Sequence, residues 1–392
     1  MAQAISLPMP RATAARQSAV PWYVWCAVLA NTSSMIGVHW DISWHRSIGR
    51  DTFWTPAHLA IYLCGVLAGL SSAYMILTAT FSNTADRLRE AGVRMWGFRG
   101  PLGAFIMAWG GVAMLTSAPF DDWWHSAYGL DVRIISPPHT LLAMGIFNIQ
   151  LGAIMLILGC MNRAEGELIR TLRRLYIYMG GLAVVNMSTF IMEYTFRVNM
   201  HSAAYYRSVG LAIPFFLFAV SGSTGVRWAT TKVAAVYMVF WQVMNLILPL
   251  FPAEPKLGPI LHQVTHFVPS TFPMLVVIPA LAADLFLQGW GARLKTWMAG
   301  AVAGLIFMTG LLAAQWPFAN FLLSPMSRDW FFYTDMHDYR TGAKNYSKLH
   351  QFYPWEKTMP EFWTNLALAF VASMMMAMLG LMLSRWLARV KR

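Results

Sequence analysis

From Ala19 to Val38 the chain runs for twenty residues without a charged side chain, and comparable apolar stretches recur to its far end. Windows of roughly 19 residues predict spans at 19–38, 56–81, 101–120, 137–160, 175–194, 206–223, 231–251, 267–289, 296–322 and 363–384. A lipid solvent demands such runs, because a helix satisfies its own backbone hydrogen bonds and needs about 20 apolar residues to cross the hydrocarbon. Charged residues make up only 12% of the chain, hydrophobic ones 57%, and mean hydropathy is +0.47, far from the balance of a soluble domain. The 18 Trp and 14 Tyr suit anchoring at a membrane interface. The expected fold is an all-α, polytopic integral membrane helical bundle of about ten transmembrane helices.

A net charge of +12 would suggest nucleic acid as the partner of a soluble protein. Here the cations sit in short loops instead. Segments 1–18, 82–100, 161–174, 224–230 with Lys232, 290–295 and 385–392 hold 18 of the 29 Lys and Arg. By the positive-inside rule these loops and both termini are cytoplasmic. The lipid bilayer, not nucleic acid, is therefore the expected partner, in a bacterial-type inner (plasma) membrane. Arg11 and Arg16 before the first run resemble a signal peptide, but the run is long enough to span, and an uncleaved first helix is expected. Cys26, Cys64 and Cys160 fall inside apolar runs and read as buried thiols. The same topology puts all ten histidines in or beside the outward loops.

Two outward stretches repeat one pattern. The first runs through Asp41, His45, Gly49, Asp51, Pro56 and His58, and the second through Asp121, His125, Gly129, Asp131, Pro137 and His139. Spacing differs only by one residue before the closing Pro-x-His, so the chain carries an internal helix-pair repeat offset by about 80 residues. Asp and His at i, i+4 share a helix face, and the last His begins the returning helix. Each copy thus presents one carboxylate and two imidazoles with coordination positions open. That set suits non-haem iron on general grounds, while imidazole also favours copper and zinc. Asp51 and Asp131 are expected either to accept hydrogen bonds from the ligand imidazoles or to cap turns.

At these residues the sequence resembles the C subunit of the copper membrane monooxygenases, the family of particulate methane and ammonia monooxygenases. That family has one copper site of the form Asp-x3-His-x12-His, matched by Asp41, His45 and His58, and a neighbouring site Asn-x3-His-x13-His. Asp121, His125 and His139 match the second spacing, with Asp where the family has Asn. The resemblance covers about residues 35–145. It implies copper at both sets, partner membrane subunits and an electron donor. The family subunit has fewer helices, and no large soluble copper domain is present here.

Other signals are weaker. His262 and His266 form a His-x3-His pair at the mouth of the eighth span, as possible further ligands. Glu193 and His201 flank the end of the fifth span, and Asp284 is the main acid deep within a span. The loop 323–362 is rich in aromatic residues and reads as a lid, a donor dock or an interfacial layer. The expected organisation is a tail 1–18, a four-helix unit 19–160 bearing the two sets, and a six-helix unit 161–392. The expected function is a copper-dependent, monooxygenase-like membrane oxidoreductase acting on a small apolar substrate and dioxygen, with iron or zinc as other metals. A non-catalytic copper or zinc protein for metal acquisition or delivery is the alternative.

Overall fold

The computed structural model describes residues 19–129, 136–256 and 258–390. The tail 1–18 and the repeat position Asp131 lie outside the described residues. Helices dominate: α1 (Trp22–Ser47), α2 (Pro56–Phe81), a short α3 (Asp86–Glu90), α4 (Leu102–Tyr128), α5 (Pro137–Met161), α6 (Gly166–Phe190), α7 (Ala203–Ser221), α8 (Ala229–Ile247), α9 (Val277–Gln288), α10 (Thr296–Leu323), a short α11 (Ala343–Lys348) and α12 (Met359–Leu387). The basic loop after α2 is not irregular throughout. It contains α3 and a hairpin of β1 (Gly92–Met95) and β2 (Phe98–Pro101), turned by Trp96 and Gly97, both at positive φ. Two positive-φ residues give the turn whose twist matches a two-residue hairpin.

Among the described residues seven helices are long and apolar enough to cross a membrane: α2, α4, α5, α7, α8 with its extension to Leu250, α10 and α12. The chain is a multi-pass helical membrane protein. α1 and α6 have 26 and 25 residues but are not among the seven. α6 starts well before the expected 175, taking Arg170, Arg173 and Arg174 into its first half. The expected span 267–289 is corrected more strongly, because only α9, 12 residues, is helical there. Residues 267–276 form no helix, and Pro269 and Pro273 supply the reason: each removes a backbone donor and pushes its predecessor out of the helical region.

One apolar core runs from Val24 in α1 to Leu387 in α12, while Leu70, Leu115, Val239 and Leu285 stay exposed along helices, as lipid contact requires. Small residues set the closest helix crossings. A Cβ on Gly103 would lie 2.4 Å from the Gly152 carbonyl oxygen, and one on Gly110 would lie 2.7 Å from that of Gly145. α4 and α5 therefore meet backbone to backbone at two levels, the close approach small residues permit in membranes. α1 and α2 approach in the same way, with Gly37 against Ala57 and Ile61.

Asp284 has a local role. It is buried on α9, and its carboxylate accepts from the Thr231 amide and hydroxyl at 2.8 and 2.7 Å. It caps α8, whose own preceding residue, Trp228, offers no side-chain cap.

Candidate metal centre

Each part of the repeated motif has a structural cause. α1 continues past its apolar stretch to Ser47, so Asp41 and His45 stand one turn apart on its last turns. Gly49 then leaves the helix at φ 107°, and Gly129 does so after α4 at φ 87°. Side chains resist those angles, so the shared Gly is a helix stop. Pro56 and Pro137 open α2 and α5, where their missing N–H has no helical partner to lose. His58 and His139 follow in the first turn of the returning helices. Side chains lean toward their helix N-terminus. Asp41 and Asp121 thus lean back along α1 and α4, while His58 and His139 lean toward the loops that join the helices of each pair.

The first cluster gathers Asp41, His45, Asp51 and His58. His58 Nε2 lies 2.7 Å from Asp51 Oδ2 and 3.3 Å from Asp41 Oδ1, and His45 Nε2 lies 3.3 Å from Asp51 Oδ2 and 3.8 Å from Asp41 Oδ2. Asp51 is inside the cluster and touches both imidazoles, rather than merely turning the loop. Burial opposes its ionisation, yet the hydrogen bonds from His45 and His58 hold its carboxyl well below the usual carboxylate range. Among the described residues the second cluster repeats three of the four positions. Asp121 lies 3.5 Å from His125 Nε2 through one oxygen and 3.5 Å from His139 Nε2 through the other. Asp41, His45 and Asp51, and likewise Asp121, His125 and His139, each place one donor atom per residue within 4.8 Å of the others.

The clusters are neighbours. α2 packs against α4, and Asp121 lies within electrostatic reach of Asp51 and His58. Tyr62, one turn along α2 from His58, feels Asp121, Asp51, Asp41 and Asp122, so carboxylates of both clusters act on one phenol. Its ring centre is 5.9 Å from that of His58. The sequence reading missed Tyr62, although its i, i+4 spacing from His58 was the available signal.

A divalent cation fits this donor set. Asp41 Oδ1 and Asp121 Oδ1 are buried, and each faces an imidazole Nε2, that of His58 at 3.3 Å and that of His139 at 3.5 Å. His45 and His58, and likewise His125 and His139, turn Nε2 toward the carboxylates, so one nitrogen of each ring faces the centre of its cluster. Asp41 and Asp51 set two carboxylates beside the two imidazoles, so a divalent cation bound there would take the place of the imidazole protons that now face them.

The remaining expected positions do not join these groups. His262 and His266 lie in a non-helical segment, so their spacing puts them on no common face. His262 turns both ring nitrogens to loop carbonyls, of Thr341 and His337 at 3.1 Å each. His266 is exposed and pairs with the Thr265 hydroxyl. Asp122 shares the helix end, but Asp121 alone keeps the register that reaches both imidazoles. Glu193 is exposed, and His201 is stacked between Trp316 and Phe352. The loop 324–358 packs Phe331 and Phe332 against Phe272 and Phe321, and binds the end of α1 through Tyr339 N–H to the Arg46 carbonyl. No family model, no curated protein and no solved structure matches this chain.

Proposed function

We propose that the chain is a copper-dependent, monooxygenase-like membrane oxidoreductase with two adjacent metal sites near the outer membrane face. The observation that carries the reading is the convergence of Asp41, His45, Asp51 and His58, repeated in Asp121, His125 and His139 beside it. Copper is preferred on the spacing shared with the monooxygenase C subunit, and on the affinity of imidazole sites for that metal. In this reading ten helices cross the membrane, α1, α6 and α9 with its extended approach among them, and both termini are cytoplasmic. A small apolar substrate arrives through the bilayer, and an external donor supplies electrons.

The bound metal would supply the dioxygen chemistry. The chain's own residues do the rest. Asp41 and Asp121 neutralise charge, the four histidines set geometry, and Asp51 fixes His45 and His58 from the loop. The half-exposed His45 leaves the first cluster open on one side. The second carboxylate from Asp51 also favours a second reading, iron, since a carboxylate-richer imidazole site is harder than a typical copper site.

The test is metal content of the full chain in nanodiscs, by elemental analysis with EPR, for wild type, His45→Ala and His125→Ala. About two copper ions, falling by one in each variant, support the proposal; iron with the same pattern supports the second reading. Retained metal without any oxidised product under a reductant and dioxygen would make the chain a metal carrier. No metal in folded, reconstituted protein would overturn all of these.

A further inference from the structure

The metal clusters leave a second concentration of chemistry unused, where the loop 324–358 folds over Arg197. That guanidinium is 8% exposed and makes no ion pair among the described residues. Its Nη2 donates to the Thr334 carbonyl at 2.8 Å and faces His337 Nδ1 at 3.3 Å. Arg46 and Arg197 also act electrostatically on His337, and Arg328 and Arg197 on His350. Two carboxylates are near: Asp335, 3.7 Å from Arg328, also acts on Arg197 and His350, and Asp338, 3.6 Å from Arg340, also acts on Arg46. Four guanidinium groups (Arg46, Arg197, Arg328, Arg340) thus face two carboxylates (Asp335, Asp338).

The hydrogen-bond pattern fixes what this pocket lacks. A guanidinium only donates, so Nδ1 of His337 must accept and the neutral ring carries its proton on Nε2. That Nε2–H is buried, in a side chain 5% exposed, and meets no acceptor. His350 Nε2 is also buried without a partner, its ring centre 5.8 Å from that of His337. Tyr346 packs against both rings, at 4.8 and 5.5 Å. A metal ion does not suit the place. Binding one at His337 Nε2 would move the ring proton to Nδ1, against the Arg197 N–H, and the guanidinium groups would repel the cation. An acceptor with negative charge answers every feature.

We infer that Arg197, His337 and His350 form a binding site for a small oxyanion group, a carboxylate, bicarbonate or phosphate, beneath the loop 324–358. A groove of about 410 Å³ lined by Val198, Asp338, Arg340, Asn345, Lys348 and Tyr353 is walled by the same loop, and Val198 directly follows Arg197. Arg340 and Lys348 give that groove the sign of charge that gathers anions. The oxyanion accepts from His337 Nε2–H and is balanced by Arg197.

The test uses the full chain in phosphatidylcholine nanodiscs, titrated with inorganic phosphate, bicarbonate or acetate against chloride at equal ionic strength. Calorimetry and the thermal midpoint are read. At least one oxyanion is expected to bind saturably, and His337→Phe is expected to weaken it at least tenfold. If His337→Phe does not fold, His350→Phe carries the same expectation. In nanodiscs containing phosphatidylglycerol, a lipid that co-purifies with wild type but not with these variants identifies the oxyanion as a headgroup. No saturable binding or retained lipid in either membrane, an effect matched by chloride, or binding kept in the variants overturns the inference.

Discussion

Asp51 Oδ2 lies 2.7 Å from His58 Nε2, closer than either oxygen of Asp41 comes to any imidazole of the cluster. A loop residue therefore holds a histidine of the returning helix more tightly than the helix residue that defines the motif. Asp51 also reaches His45 at 3.3 Å, so one carboxylate ties α1 to α2 across their connection. Asp51→Asn should keep the shape while removing the charge. Metal affinity at the first cluster is expected to drop at least tenfold, as when a group orienting metal ligands is lost, with the second cluster unaffected. Competitive metal titration of the His125→Ala background, which isolates the first cluster, checks this.

The second cluster depends on how closely α4 and α5 approach. A side chain at Gly152 would put its Cβ 2.5 Å from the Gly103 carbonyl oxygen and 2.7 Å from the Met107 amide nitrogen, both backbone atoms that cannot turn aside. Gly152→Val is therefore expected to separate the two helices, with overpacking costing about 1–3 kcal/mol. Metal should be lost from Asp121, His125 and His139 before the first cluster is affected. Thermal unfolding followed with metal content of the same samples separates this from general destabilisation, which would empty both clusters together.

These two cases show what the sequence made legible. The convergence of the repeated Asp and His residues, their helix ends and their hairpin geometry were readable, because helix period, Gly stops and Pro starts are local signals at Gly49, Pro56, Gly129 and Pro137. The contact of Asp51 with both imidazoles was not, since it depends on how an irregular connection folds back, and no periodicity governs such a path. The spacing of Tyr62 from His58 was a local signal, but its place within reach of both clusters depends on the packing of α2 on α4, a tertiary fact. The failure at 267–276 has a local cause that hydropathy overlooks: the window counts Phe267, Val268 and Phe272 as apolar but does not weigh Pro269 and Pro273 as helix breakers. His262 and His266, expected at the mouth of that span, share no helix face because no helix starts there.

Asp284 shows how a deep acid can be structural. Its carboxylate accepts from two groups of Thr231 and, at 3.4 Å, from the Thr230 amide. Removing it leaves orphan donors at the start of α8. Asp284→Ala is expected to lower stability by about 1–3 kcal/mol, the range for a charged hydrogen-bond acceptor lost from a buried site. Asp284→Asn, which keeps one acceptor oxygen, should lose less. Neither is expected to alter ion flux in proteoliposomes. A flux that collapses in Asp284→Asn while the thermal midpoint holds would make this acid part of a transport path instead.

His337 makes stability depend on pH with a definite sign. Burial chiefly, and the positive charge of Arg197 next, push its pKa down from 6.5 to about 3. The native protein thus keeps the ring neutral where the unfolded chain, near 6.5, already takes a proton. Between these values the unfolded state binds more protons, so falling pH favours it. The contribution of His337 is fully present above about pH 6.5 and declines progressively toward pH 3. Protonation also replaces the acceptor at Nδ1 with a donor facing Arg197, losing a hydrogen bond within the same window. The thermal midpoint of wild type is expected to fall from pH 7.5 to pH 5.5 by more than that of His337→Gln, whose amide does not titrate but retains an acceptor. Equal slopes for the two proteins would mean that other groups govern the acid limb and that the His337 ring is not held neutral against Arg197.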